Sequence, residues 1–162
     1  MAYGSHAEVI SVPATSAWAV PAGLSLIEAS GVPIEFGTAD DCLFEFGRLK
    51  AGETVLIQAG ASGVGLAGIQ LAKAAGATVL ATASSDERLE RLKQYGLDHG
   101  INYTKVDAAK EVLEYTNGAG VNLVVDSVGG TTLQGSVAML AYRGRISWVG
   151  RAGRESTPPD IS

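Results

Sequence analysis

Short apolar runs alternate with helix-like segments through most of the chain. The apolar runs predict five strands, at residues 55–59, 78–83, 101–103, 123–126 and 145–149. The segments between them predict helices that run from the loop after the first strand to about residue 75, and then at residues 86–95, 108–116 and 131–141. Apolar strands separated by helices form parallel sheets that are covered on both faces. The pattern therefore predicts an α/β fold with a doubly wound parallel sheet.

The two ends of the chain depart from this alternation. Residues 7–12 and 18–20 have the composition of short strands, with no helix between them. Residues 26–29 and 38–46 predict two helices before the first strand of the sheet. Residues 151–162 contain two prolines and have the polar composition of a loop or frayed tail. We expect these segments to lie outside the repeating strand–helix unit.

A glycine-rich loop joins the first predicted strand to the first long helix. It reads GASGVG at residues 60–65 and differs from the dinucleotide pattern G-x-G-x-x-G by a serine at the second glycine. Glycines let such a loop approach a pyrophosphate, and the helix N-terminus supplies N–H donors. Ser62 would add a hydroxyl, Gly65 would let the helix pack on the strand, and a bulky residue replacing Gly63 would block the pyrophosphate. The loop predicts a phosphate cradle, with a tight turn that binds no ligand as the alternative.

The end of the second predicted strand bears on cofactor choice. Sheets that bind NAD usually carry a carboxylate about 20 residues past the glycine loop, where it bonds the ribose hydroxyls. This chain has Ser84 and Ser85 there, with Arg88 one helical turn later. Hydroxyl and guanidinium groups can bond a 2′-phosphate, which a carboxylate would repel. These residues predict NADPH; alternatively, the serines cap a helix and Arg88 lies on a solvated face.

Composition and charge narrow the classes of function. The chain has 162 residues, 46% of them hydrophobic and 18% charged, which fits one globular domain. Its formal charge of −5 argues against nucleic acid as a partner, and no apolar stretch is long enough for a membrane span. Cys42 is the only cysteine and is expected in the core, so a cytoplasmic protein fits best. His6 and His99 have no neighbouring ligands at metal-binding spacing, so no metal site is predicted.

Several segments together resemble a known family. They read GLSLIEASGVP, GRLKAGETVLIQAGASGVG, AGIQLAKAAGA, INYTK, DSVGG and GRISWVG, in this order. They are similar to the cofactor half of the medium-chain dehydrogenase/reductase superfamily, in particular its zinc-independent NADPH:quinone oxidoreductase branch. The resemblance implies a Rossmann-like NADP-binding domain at residues 22–150 and a remnant of the GroES-like catalytic domain at residues 1–21. Residues 151–162 would form a flexible tail, and the full-length parent would be a homodimer.

The resemblance also implies roles for individual residues. The pyrophosphate loop would comprise Ala61, Ser62, Gly63, Val64 and Gly65. The 2′-phosphate pocket would comprise Ser84, Ser85, Arg88 and Tyr103, although Tyr103 could equally be a strand-end aromatic that packs on a helix. The ribose and nicotinamide would lie near Thr38, Val128, Val149, Gly150, Arg151 and Ala152. Thr38 could instead cap a helix, and Asp126 could cap the loop that contains Val128.

Two functions follow from the resemblance. The parent protein would be an NADPH-dependent oxidoreductase that delivers a hydride to a small-molecule quinone or to an α,β-unsaturated carbonyl. Enoyl thioester reductases and polyketide enoyl reductases share this scaffold, so the acceptor stays open. Alternatively, the chain is a module that binds NADPH without turnover. No residue of the sequence is predicted to be catalytic, because the cofactor carries the chemistry and the protein orients it.

Overall fold

The computed structural model describes residues 7–150 and 152–153, and its centre is a five-stranded parallel sheet. The strands are β1 (Thr54–Ile57), β2 (Thr78–Ala83), β3 (His99–Asn102), β4 (Val121–Asp126) and β5 (Leu140–Trp148). The helices are α1 (Leu26–Ser30), α2 (Val32–Asp40), α3 (Gly63–Ala74), α4 (Asp86–Lys93), α5 (Ala108–Tyr115) and α6 (Thr131–Val137). The strand order β3-β2-β1-β4-β5 confirms the doubly wound sheet.

The core lies on both faces of the central strands. One cluster contains Val55, Ile57 and Val79 and packs against α3 and α4, whereas the other contains Leu56, Leu80 and Val124 and packs against α5. Alternate residues of β1 therefore enter opposite clusters, which explains why its sequence is apolar without interruption. The continuous apolar run was the signal that predicted a sheet covered on both faces.

Two predicted elements end elsewhere than expected. The predicted helix at residues 131–141 stops at Val137, and Leu140 already belongs to β5, where it pairs with Val121. Pairing with β4 therefore places Leu140 and Ala141 in a strand, although their local sequence suits a helix. The helix predicted at residues 38–46 instead begins at Val32, with a proline in its first turn, and continues as a π-helical turn at Asp41–Glu45.

The strands predicted at residues 7–12 and 18–20 are wrong. The described residues of this segment form only a short 3₁₀ helix at Ala14–Ser16. They have no strand beside them, and Val9 and Trp18 are 87% and 74% exposed. A strand needs a hydrogen-bonded neighbour, so β-type composition alone did not produce one here. The predicted flexible tail at residues 151–162 falls outside the described residues, except for residues 152 and 153.

Arg145 ties together the amino-terminal edge of the sheet. Its guanidinium donates to the backbone carbonyls of Gly47, Arg48 and Asn122 and to both carboxylate oxygens of Glu53. The hydrogen bonds from Arg145 hold the pKa of the Glu53 carboxyl below its usual range, although burial acts in the opposite direction. One side chain of β5 thus fixes the loop that leads into β1, at the edge opposite the carboxyl ends of the strands.

Candidate cofactor site

A cavity of about 690 Å³ lies at the carboxyl ends of β1, β2 and β4. The strand order reverses between β1 and β4, and open α/β sheets bind ligands in the crevice that this reversal creates. The volume falls within the range of about 300–1,000 Å³ that is usual for small-molecule sites. The described lining residues are Gln58, Ala59, Ala61, Ser62, Thr82, Ala83, Ser84, Arg88, Tyr103, Val106, Asp107, Ala108, Ala109, Val128, Thr131, Thr132, Gly135 and Met139.

The glycine loop enters this cavity through Ala61 and Ser62. Ser62 is the N-cap of α3, and its hydroxyl oxygen accepts a hydrogen bond from the Gly65 N–H at 3.1 Å. A Cβ atom at Gly65 would lie 2.5 Å from the Ala59 carbonyl oxygen, so only glycine allows the helix to lie this close to the end of β1. The loop thus brings the N-terminus of α3 to the cavity, as a phosphate cradle requires.

Gly63 has a different environment from the one that the sequence suggested. It does not line the cavity, and a Cβ atom at this position would lie 2.7 Å from Cγ of Glu35 on α2. The expectation that a bulky residue at position 63 would fill the pyrophosphate space therefore has no support in this geometry. Such a residue would instead push aside the flexible Glu35 side chain. Val64 and Gly65 also lie outside the lining of the cavity.

Three of the predicted phosphate-binding residues lie after β2, on α4 and after β3. Ser84, Arg88 and Tyr103 all line the cavity. Tyr103 is 55% exposed and is therefore accessible to a ligand. Ser85 does not line the cavity and caps α4, because its hydroxyl accepts from the Arg88 N–H at 3.3 Å. The capping interpretation thus holds for Ser85, whereas Ser84 remains available to a ligand.

Charge in the cavity is confined to two side chains. Among the described lining residues, Arg88 is the only cation and Asp107 is the only carboxylate. Within the described part of the chain, the Arg88 guanidinium forms no ion pair, whereas Arg91 on the same helix pairs with Glu87. Asp107 caps α5, since its Oδ1 atom accepts from the N–H groups of Ala109 and Lys110. An anion bound beside Arg88 would therefore be attracted by Arg88 and repelled by Asp107.

Replacing Asp107 with asparagine is expected to raise the affinity of this cavity for NADPH about two- to fivefold, since unit charges several ångströms apart in a wet cleft interact by less than about 1 kcal/mol. Asparagine caps a helix about as well as aspartate, so α5 should be retained. The measurement is a fluorescence titration with NADPH at low and high salt. Glu114→Gln removes an equal charge from the exposed side of α5 and serves as the control. An unchanged affinity in Asp107→Asn would show that Asp107 does not face the bound phosphate.

Two loops pair beside the far end of the cavity. Val128 lines the cavity, and the Asp126 carboxyl accepts from the N–H groups of Val128 and Gly129 at 2.8 Å each, so Asp126 does cap this loop. Val149 donates from its backbone N–H to the Asp126 carbonyl, and Ala152 donates to the Ser127 carbonyl. Val149, Gly150 and Ala152 themselves do not line the cavity. They stay predictions, and Arg151 lies outside the described residues.

Thr38 is not brought into the cavity. It lies inside α2, which packs against α3, and it is not among the lining residues. Its position two residues before the end of the helix also excludes the alternative role as an N-cap. Its predicted role near the nicotinamide therefore rests on the resemblance alone.

Residues that the sequence analysis missed form the floor of the cavity. Gln58 and Thr82 line it and are 4% and 3% exposed. The sequence did contain a signal for both. Gln58 is a polar residue directly after an apolar strand, and Thr82 is a polar residue just before the end of one. Asp107 was missed for another reason, because its distance along the sequence from the glycine loop gave no indication that the two would meet.

Other reactive residues lie away from the cavity. Cys42 is buried, and burial raises the pKa of its thiol, with a hydrogen bond from Ser147 as an opposing influence. Among residues 7–150 and 152–153, no group of three or more His, Cys, Asp and Glu side chains could hold a metal ion. None of the described helices is long and apolar enough to cross a membrane.

Comparison with known proteins finds relatives that match most of this chain. A family model described as zinc-binding dehydrogenase matches residues 63–161. Phthioceranic/hydroxyphthioceranic acid synthase of Mycobacterium tuberculosis is 36% identical over 148 residues, which are 91% of this chain and 7% of the synthase. Quinone oxidoreductase-like protein 2 of Rattus norvegicus is 36% identical over 152 residues, which are 93% of this chain and 43% of that protein. The chain thus spans less than half the length of these relatives.

Solved structures share the same fold. A mycobacterial protein complexed with NADPH superposes with a TM-score of 0.78 at 36% identity, over 88% of this chain and 43% of that chain. The CurK enoyl reductase superposes with a TM-score of 0.77 at 38% identity, over 82% of this chain and 40% of that chain. Both likenesses cover more than four fifths of this chain.

Proposed function

We propose, since this chain belongs to the zinc-binding dehydrogenase family, that it is the NADPH-binding part of a reductase. Membership in this family confirms the resemblance to medium-chain dehydrogenases and reductases, and the Rossmann-like sheet agrees with it. The observation that carries the choice of cofactor is that Ser84, directly after β2, and Arg88 on α4 both line the cavity, and that Arg88 forms no ion pair with a described residue. A carboxylate that would bond the ribose hydroxyls of NADH is absent from the tip of β2.

The lining of the cavity fits the parts of NADPH in order. Arg88, Ser84 and Tyr103 would hold the 2′-phosphate, with the guanidinium forming charge-assisted hydrogen bonds. The N-terminus of α3 would face the pyrophosphate, and Ser62 could donate its hydroxyl hydrogen while its oxygen caps the helix. The backbone around Val128 would approach the ribose next to the nicotinamide. The protein's contribution would be to bind NADPH and to orient it.

The acceptor that we propose is a carbon–carbon double bond conjugated to a carbonyl. When bound, NADPH supplies a hydride, and quinones and enones both accept a hydride at such a system. The names of the similar proteins include a quinone oxidoreductase-like protein and an enoyl reductase, and this range supports an acceptor of that shared chemistry. The cavity would exclude water and fix the face of the nicotinamide that meets the acceptor.

The proposed division of the chain follows the same reasoning. Residues 22–150 would form the cofactor domain, and residues 1–21 would belong to a catalytic domain of the GroES-like type. Large apolar side chains near this boundary support the idea, because Trp18, Ile27 and Ile34 are 74%, 86% and 71% exposed. Such a surface is usually covered by another part of the protein. The homodimer of the full-length parent remains part of the proposal.

A hydride-transfer assay tests the proposed activity. The chain is incubated with NADPH that carries deuterium at the transferable position, together with a panel of quinones and enones. We expect slow transfer of deuterium to one class of acceptor, far below the rate of a full-length quinone oxidoreductase, because one wall of the acceptor cleft would be missing. NADPH binding without any transfer would contradict the reductase activity and favour a module that binds the cofactor without turnover. A rate equal to that of the full-length enzyme would contradict the division into domains.

A further inference from the structure

A row of buried polar side chains crosses the sheet directly beneath the cavity. The Ala59 N–H donates to the Thr82 hydroxyl at 3.1 Å, and this hydroxyl donates to Oε1 of Gln58 at 2.7 Å. Nε2 of Gln58 then donates to the Ser136 hydroxyl at 3.1 Å. The Ser136 hydroxyl has one hydrogen, which can point to the Thr132 carbonyl at 2.9 Å or to Oδ2 of Asp126 at 3.4 Å. Each member of the row thus donates a hydrogen bond to the next, from Ala59 through Thr82 and Gln58 to Ser136.

These side chains are removed from water almost completely. Gln58, Thr82, Asp126 and Ser136 are between 0% and 4% exposed. A buried polar group destabilises a fold unless its hydrogen bonds are satisfied, and a fully satisfied row specifies one arrangement. Apolar residues such as Ile57 and Ala81 occupy the neighbouring positions of the same strands and fill the core without this requirement. The row therefore needs an explanation beyond packing.

The position of buried polar residues supplies that explanation. Within the described ranges, these residues are Gln58, Thr82, Asn102, Asp126, Ser136 and Ser147. Five of them lie within one residue of the carboxyl end of a strand, and Ser136 lies on α6 beside Gln58. The amino-terminal halves of the strands contain none. Buried polarity is thus concentrated at the edge of the sheet that forms the cavity.

The two ends of the row lie in the two loops that would meet the cofactor. Ala59 has a left-handed backbone with φ of 53°, which is uncommon for a residue other than glycine, and it leads directly into the glycine loop. The Thr82 hydroxyl holds its N–H in place. At the other end, Asp126 shapes the loop that contains Val128 through two backbone hydrogen bonds.

We infer that Thr82, Gln58 and Ser136 form a positioning network that fixes the glycine loop and the Val128 loop relative to each other before NADPH binds. None of the three needs to react, and Ser136 does not line the cavity. A preorganised pair of loops binds more tightly because less conformational entropy is lost on binding. This inference rests on the proposed function, since it assigns the purpose of the network to cofactor binding.

The test combines hydrogen exchange with cofactor titration in the 162-residue chain. Thr82→Val keeps the shape of the side chain and removes both of its hydrogen bonds, whereas Thr82→Ser keeps the hydroxyl. In Thr82→Val we expect faster amide exchange at residues 59–65 and also at residues 128–130, together with a Kd for NADPH that is about tenfold higher. Ser136→Ala should give a similar rise, and the double variant should add little, because the three side chains act as one unit. Thr82→Ser should restore most of the affinity.

Asn122→Leu is the matched control. Its side chain accepts from the Thr54 N–H at 2.8 Å, so it links the same sheet at the opposite edge. This variant should lose stability without a change in NADPH affinity. Thr82→Val or Ser136→Ala binding NADPH like the unmutated chain would overturn the network, even if exchange became faster, because the row would then be structural only. Failure of the unmutated chain to bind NADPH would instead overturn the proposed function, and the inference with it.

Discussion

Replacing Arg88 with alanine is expected to raise the Kd for NADPH about ten- to a hundredfold, since a charge-assisted hydrogen bond to phosphate contributes roughly 1.5–3 kcal/mol before exposure reduces it. The Kd for NADH should change little, because NADH lacks the 2′-phosphate. Arg88 is the only cation among the described lining residues and has no ion pair there to weaken its interaction with a ligand. Parallel fluorescence titrations with both cofactors measure the effect, and high salt should weaken NADPH binding more than NADH binding.

Arg91→Ala provides the control for this variant. Arg91 lies on the same helix, does not line the cavity and pairs with Glu87 at the exposed surface. Its loss removes an equal charge from α4 and should leave both affinities nearly unchanged. If Arg88→Ala and Arg91→Ala lowered NADPH affinity equally, the effect would come from overall charge, and Arg88 would have no specific role in phosphate binding.

Replacing Arg145 with methionine is expected to lower the free energy of unfolding by about 2–4 kcal/mol, because several partly buried hydrogen bonds lose their donor at once. The side chain is only 30% exposed and joins three backbone carbonyls to Glu53. Urea denaturation measures the loss. Arg91→Met breaks an exposed pair between neighbouring helical turns and should cost only about 0.5 kcal/mol. Equal losses in the two variants would contradict the role given to Arg145.

Arg145→Met is also expected to change how the stability of the fold depends on pH. The folded state lowers the pKa of Glu53, so this group contributes stability above its unfolded pKa and loses that contribution as the pH falls through the folded value. The unmutated chain should therefore lose stability below about pH 4.5, near the ordinary pKa of glutamate. Asp86 adds to this acid sensitivity in both proteins, because Lys105 and Asn102 lower its pKa. The decline attributable to Glu53 should be smaller in Arg145→Met, and identical decline in both proteins would contradict it.

Much of the fold was predictable because its signals are local. Strand β2 was predicted with its observed bounds, since a mostly apolar, β-branched run between Gly76 and Ser84 leaves little choice. Helices α3, α4 and α5 were also predicted, and in the structure each begins after a side chain that caps it. The beginning of β5 was not predictable in the same way, because Leu140 joins the sheet through its pairing with β4. The sequence of one segment does not show which distant strand will pair with it.

The site was predictable where one strand end contained its chemistry. Ser84 and Arg88 lie within one helical turn of each other, and both line the cavity as expected. Gly63 was assigned to the pyrophosphate because glycines in such loops usually approach it, but its open side faces Glu35. Asp107 escaped notice because its approach to the glycine loop depends on the parallel order of the strands, whereas Gln58 was missed although it directly follows β1. Their roles emerge only when the carboxyl ends of the strands are brought together.

Titration of the unmutated chain with NADPH and with NADH, by calorimetry under identical conditions, tests the central claim most directly. The pocket formed by Ser84, Arg88 and Tyr103 predicts that NADPH binds about ten- to a hundredfold more tightly, which corresponds to roughly 1.4–2.7 kcal/mol. The difference should shrink as salt is added, because it depends on one charged contact. Equal affinities for the two cofactors, or a preference for NADH, would contradict the claim that this cavity is built for NADPH.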